Sequence, residues 1–131
     1  MAITTQLDPD NGLRIHVLTG RLTYAEVRDT LEELYDRQDF DPAMNALWDL
    51  REAVTTEFSS DDVRKIAQLA GGRRPSGVSP RVALVASRDA DFGMARMYEA
   101  QEDEVSPGHI RVFRDIEEAT TWVSGAGEDE A

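Results

Sequence analysis

The chain has no cysteine, two histidines and a single lysine among its 131 residues. Without cysteine there is no disulfide framework, no thiolate nucleophile and no zinc site built on sulfur. Basic residues are scarce, 14 against 26 acidic ones, for a formal charge of −12. That balance argues against nucleic acid as a partner, because a phosphate backbone is held by clustered Lys and Arg, and against adsorption to anionic membranes. No apolar run approaches the ~20 residues of a membrane span, and Met1–Gln6 carries no signal-peptide pattern. No integral membrane segment is therefore expected, and the reading is of a small cytoplasmic domain. The arginines that outnumber Lys65 fit a bias in base composition, and the acidic excess also suits salt adaptation. Neither feature names a ligand.

What is present is patterning. With 40% hydrophobic residues, a chain of this length can form one domain with an ordinary core. Ile3, Thr5 and Leu7 lie on one face of a first strand, and Asn11-Gly12 supplies a hairpin turn. In the second strand Leu13, Ile15 and Val17 alternate with Arg14, His16 and Leu18, which predicts one buried face with His16 on the outer one. Thr23 and Glu26 form a capping box for a helix that stops before Pro42. Asn45–Leu50 is a strand with Asp49 near its end; Ser59 or Ser60 caps a helix that Gly71-Gly72 terminates. Val82–Ala86 reads as a buried central strand, Asp89 or Asp91 opens a third helix, and Ile110–Phe113 is a last strand. Asp115 and Glu118 form another capping box before the final helix. The domain spans 1–124, and 125–131 is an acidic tail without a burying pattern. The acids at Glu99, Glu102, Asp103 and Glu104 oppose the dipole of the third helix, so it should fray before a mobile loop at Val105–Gly108.

The order β-β-α-β-α-β-α-β-α implies an α/β sandwich whose sheet is mixed but mostly parallel, with an antiparallel edge from the opening hairpin. Ala46-Leu47-Trp48-Asp49-Leu50-Arg51 with Phe58-Ser59-Ser60-Asp61, and then Phe92–Tyr98, carry a resemblance. With Arg111–Arg114 leading into Glu118–Trp122, they make the chain resemble the STAS and SpoIIAA-like superfamily, in its uncharacterised SpoIIAA-like branch. That resemblance implies a fold similar to CRAL-TRIO lipid-binding domains, and hence a small apolar or amphipathic ligand. The signalling members accept a phosphate on a serine in an Asp-Ser-Ser-Gly-like context. Here the matching stretch is Phe58-Ser59-Ser60-Asp61, so phosphorylation at Ser59 or Ser60 is the alternative function. Asp61 and Asp62 would crowd such a phosphate with like charge.

A parallel sheet binds ligands beyond the carboxyl ends of its strands, where strand order reverses. Candidates for that crevice are Asp49, Arg51 and Glu52, then Ser87, Arg88, Asp89 and Asp91, with Ser59 and Ser60 at a helix opening. Phe58, Phe92, Met94 and Tyr98 would supply apolar walls. The expected occupant is an unidentified small ligand or protein partner, bound without catalysis. A triad of Ser87, His109 and Asp89 can be drawn, but no nucleophile-elbow glycines surround Ser87. No cofactor or metal is expected, since neither histidine has a ligand-spaced partner. Arg73-Arg74 is the adjacent basic pair on an acidic chain, an anchor for an acidic partner. The hairpin edge, and the readiness with which helices of the resembled superfamily pair, leave room for a homodimer, which the net charge opposes at low salt.

Overall fold

The computed structural model describes residues 1–105 and 109–125. The element order is β1 (Ala2–Asp8), β2 (Leu13–Arg21), α1 (Tyr24–Asp36), β3 (Asn45–Val54), α2 (Ser60–Gly72), β4 (Arg81–Val85), α3 (Asp89–Val105), β5 (His109–Phe113) and α4 (Ile116–Val123). A short 3-10 turn at Pro9–Asn11 and a left-handed Gly12, φ 59°, close the first hairpin. Of the mobile loop expected at Val105–Gly108, Val105 is the last residue of α3 and residues 106–108 lie outside the described residues, as do residues 126–131 of the tail.

The strands form one sheet in the order β1-β2-β3-β4-β5. β1 runs antiparallel to β2, and every later neighbour pair is parallel. Three successive crossovers in one direction put their helices on the same face. α1, α2 and α3 accordingly share one face, where Val27, Ala95 and Tyr98 meet Leu18, Trp48 and Leu84. α4 alone covers the other, with Ala119 and Val123 against Leu47, Ala83, Val85 and Phe113.

Several expectations are corrected. Strand order never reverses, so no switch-point crevice exists. The face of β2 expected outside is the one under α1–α3: His16 is 0% exposed and Leu18 4%, while Ile15 and Val17 on the other face are half-buried. β3 continues to Val54, which leaves Asp49 inside the strand, paired with Val17 and Val85. Gly71 and Gly72 belong to the last turn of α2, whose C-cap Arg73 is right-handed, so no glycine stop operates there. The cap of α4 is Asp115 accepting from the Glu117 backbone N–H rather than a box with Glu118.

α3 also runs to Val105 without fraying early. Glu102 turns inward, 2% exposed, and Arg74 reaches its carboxylate at 2.6 Å. A favourable contact of this kind, together with the packing of Ala95 and Tyr98, outweighs a dipole penalty of about 0.3–1 kcal/mol. The basic pair does anchor acids, but within the chain: Arg73 meets Asp36 at 2.6 Å, and Arg74 meets Glu102.

Candidate functional site

Alternation along the strands sorts their side chains between the faces. Leu47, Ala83 and Val85 point towards α4, while Trp48, Val82 and Leu84 point towards α1–α3. On the α4 face the small side chains Ala83 and Ala119 let the helix sit directly on the sheet, and both are 0% exposed. On the other face α3 packs on β4 and β5, with Ala95 against Leu84 and Ile110, and α2 packs chiefly against α3.

Between these helices and the sheet lies a cavity of about 120 Å³. Its floor includes Leu18, Trp48, Leu50, Val82 and Leu84 from the strands; its roof includes Leu31, Ile66 and Ala95 from the three helices. Trp48, Leu50 and Val82 are only half-buried although they lie on inner strands under helices. Two lining side chains besides Trp48 carry polar atoms, Thr55 and Tyr98. The Thr55 hydroxyl and backbone N–H both donate to Asp91 Oδ1, at 2.7 and 2.8 Å. The Tyr98 hydroxyl bonds to Glu102, and burial, reinforced by that carboxylate, pushes the phenol well above its ordinary pKa. Tyr35, nearby in charge terms, is pushed up to about 12 by burial and then by Glu102.

Beside Trp48 lies a polar chain that runs from buried Arg14 and His16 out to the exposed Thr5. His16 stacks on the indole with centroids 4.1 Å apart. Arg14 contacts His16 Nε2 at 2.9 Å, and Thr5 Oγ1 contacts Nδ1 at 2.9 Å. A guanidinium can only donate, so Nε2 accepts and the imidazole proton sits on Nδ1, directed at Thr5. Burial, with the Arg14 charge adding to it, pushes His16 down to about 3. Arg14 itself lies 4.6 Å from the centroid of the Phe40 ring, and its Nε has no hydrogen-bond partner.

No protein-family model and no curated protein matches the sequence. Among solved structures, it matches an uncharacterised protein of the DUF3478 family with a SpoIIAA-like fold, from Shewanella loihica PV-4. The TM-score is 0.56 at 21% identity, over 93% of this chain and 92% of that one. The chain has a SpoIIAA-like fold.

On that SpoIIAA-like frame the candidate residues separate. Phe58, Met94 and Tyr98 line the cavity. Asp49 and Arg51 do not: they form a bidentate pair, both contacts 2.9 Å, in the part of β3 beyond Leu47. Burial pushes the Asp49 carboxyl up, but the bonds from Arg51 outweigh it and the net pKa is lowered. Asp91 follows the same pattern, with burial outweighed by the Thr55 bonds and the Arg88 guanidinium 2.7 Å away. It staples the end of β3 to the start of α3 and reaches the cavity only through Thr55. Phe92 lies under the Arg114 guanidinium, 4.2 Å from its ring centroid.

Ser59 is the N-cap of α2, accepting from the Asp62 N–H at 3.0 Å while Asp62 accepts from the Ser59 N–H at 3.1 Å. Ser60 is the first residue of the helix and is exposed, as Glu52 is in β3. Ser87 is exposed and offers its carbonyl to Arg114 at 3.0 Å, and Asp89 pairs with Arg114 at 2.9 Å. The His109 side chain, third member of the drawn triad, lies outside the described residues. Among the described residues no group of three or more His, Asp and Glu side chains could hold a metal ion, and no helix is long and apolar enough to cross a membrane.

Much of the cavity wall consists of residues that the sequence presents as core stripes. Val63 and Ile66 repeat with helical spacing and Val82 and Leu84 with strand spacing. That pattern is the same whether the facing surface is solid or hollow. The Arg14–His16–Thr5 chain has a weak signal, two polar residues at alternate positions of a strand whose other positions are apolar.

Proposed function

We propose that the protein is a non-enzymatic binding module that takes a small apolar ligand into the cavity between the sheet and α1–α3. The observation that carries this reading is the 120 Å³ space walled almost wholly by apolar side chains in a domain whose opposite face is closely packed where Ala119 and Val123 of α4 meet Leu47, Ala83 and Val85. Apolar cavities of roughly 150 Å³ stay dry and admit benzene-sized molecules or xenon. The suitable occupant is therefore one aromatic ring or a short branched or linear chain, rather than a long-chain lipid. Thr55 and Tyr98 are already engaged with carboxylates, so binding rests on shape and dispersion, with at most one weak polar contact.

Thermal unfolding in the presence of toluene, indole, hexanoate and dodecanoate tests this. Toluene or indole at about 100 times its dissociation constant should stabilise by about 2.7 kcal/mol, an upward shift of several degrees. Dodecanoate should give a smaller shift. Ala95→Leu and Ala95→Phe, which fill the roof from α3, should abolish the shift while the chain stays folded. If no compound moves the midpoint and freshly purified protein flies as the bare chain in native mass spectrometry, the proposal fails.

The regulatory alternative through Ser59 or Ser60 has less support. Ser59 is held in a reciprocal cap, and Asp61 and Asp62 occupy the first turn, where a phosphate would meet two like charges. Phosphate uptake by a partner kinase that is lost in a Ser59→Ala, Ser60→Ala double variant would favour it over the cavity reading.

A further inference from the structure

The two edges of the sheet are built differently. β5 is five residues long and carries Arg111. β1 is seven residues long, with no charged side chain before Asp8, and keeps unbroken register with β2 from Ala2↔Thr19 to Asp8↔Leu13. The register shift of the sheet lies instead between β2 and β3. Exposed edge strands are ordinarily guarded by lysine, proline, a bulge or short length, because their free N–H and C=O groups invite another strand. β1 has none of these guards. Ala2, Thr4, Thr5, Gln6 and Leu7 are exposed, and Leu7, at 52%, is the exposed large hydrophobic among the described residues. The open strip continues on the face away from α1–α3, because α4 packs on β3, β4 and β5 and leaves Ile15 and Val17 of β2 half-buried.

We propose that β1 is a self-association edge, pairing antiparallel with β1 of a second copy about a two-fold axis, so that two sheets become one. Charge decides where two copies can meet. Copies that each carry −12 repel wherever acids meet, and residues 2–7 form a strand edge to which neither copy brings a charge. An antiparallel strand is complementary to itself under two-fold symmetry. With the axis at Thr5, the midpoint of β1, the Asp8 of each copy faces an alanine instead of another acid. A single strand pair buries little area, so the association is weak and reversible.

Sedimentation across about 10–500 µM protein should therefore show monomer and dimer in equilibrium, with association tightening about 3–10-fold as salt rises from about 20 to 500 mM. Thr4→Glu combined with Gln6→Glu, both exposed positions, should weaken dimerisation at least tenfold, with circular dichroism and the unfolding midpoint of the monomer unchanged. Because the chain has no cysteine, single cysteines at Thr4, Thr5 and Gln6 report the contact directly. At least one should cross-link copies on mild oxidation far faster than a cysteine at Thr121 on α4. A chain that stays monomeric throughout overturns the proposal. So does a dimer indifferent to the double substitution, or growth into longer polymers, which would mean β1 on β5 in head-to-tail contact.

Discussion

Leu47, Ala83 and Val85 face α4 and are at most 1% exposed, whereas their neighbours Trp48 and Val82, on the same strands and facing α1–α3, are only half-buried. The difference arises from what lies opposite. A single short helix with Ala119 and Val123 on its inner side can settle onto three strands at once. Three helices that also pack on one another cover the sheet unevenly: α3 lies on Leu84 and Ile110 through Ala95, α2 packs chiefly on α3, and a cavity remains beside Trp48 and Leu50. Close packing is the default of protein interiors, so a retained gap on one face is the feature that asks for a functional explanation.

The largest expected effect tests the contrast directly. Leu47→Ala on the closed face should destabilise by about 4 kcal/mol, because it opens a void in a filled site, while Leu84→Ala should cost only about 2 kcal/mol, since it enlarges a space already there. Denaturant unfolding of the two variants decides it, and equal losses would mean that the faces are packed alike. Next, Glu102→Gln should cost about 3 kcal/mol, because it removes the buried carboxylate that Arg74 meets at 2.6 Å on the side of the cavity. A loss below about 1 kcal/mol would mean that this pair does little to hold α3 in place.

A pH prediction follows from His16, which sits under the hollow face against Trp48. Its pKa falls from 6.5 in the unfolded chain to about 3 in the fold. In that interval the unfolded chain binds the proton and the native protein does not, so stability falls as pH falls and is fully present above 6.5. Between about pH 6.5 and 5, before most carboxylates titrate, the loss should be about 2 kcal/mol. His16→Gln should flatten this part of the profile, and an unchanged slope would show that the imidazole is protonated in the fold. The smaller effects concern filling and capping. Ala95→Leu should stabilise by about 1 kcal/mol by occupying the cavity, whereas overpacking of a full core would destabilise. Ser59→Ala should cost about 1 kcal/mol through loss of the α2 cap, measured by the same unfolding assay.

Much of the architecture was legible before any coordinates. The Asn11-Gly12 turn, the Thr23 cap, the Ser59 cap and the apolar run at Val82–Ala86 each act within a few residues, and each produced the kind of element expected of it, the last as a strand over Arg81–Val85. The errors have a common origin in contacts between distant segments. His16 is buried because its face of β2 lies under α1–α3; α3 persists because Arg74 reaches Glu102; Asp49 is interior because β3 runs four residues beyond Leu50 to Val54. The candidate site was legible only in part. Phe58, Met94 and Tyr98 were named as apolar walls and line the cavity, but they were expected at a strand-end crevice that needs a reversal of strand order.

The amino-acid sequence by itself determined the class of element at each stretch, the side of each that seeks burial and the excess of negative charge, because propensity, capping and periodicity are local properties. The tertiary structure alone decided that the buried sides of α1–α3 and the sheet meet around a cavity, and that the scarce basic residues Arg73 and Arg74 hold acids of the same chain. Those outcomes depend on distances between elements, and a hydrophobic stripe reads the same in sequence whether it faces a solid neighbour or the hollow of a cavity.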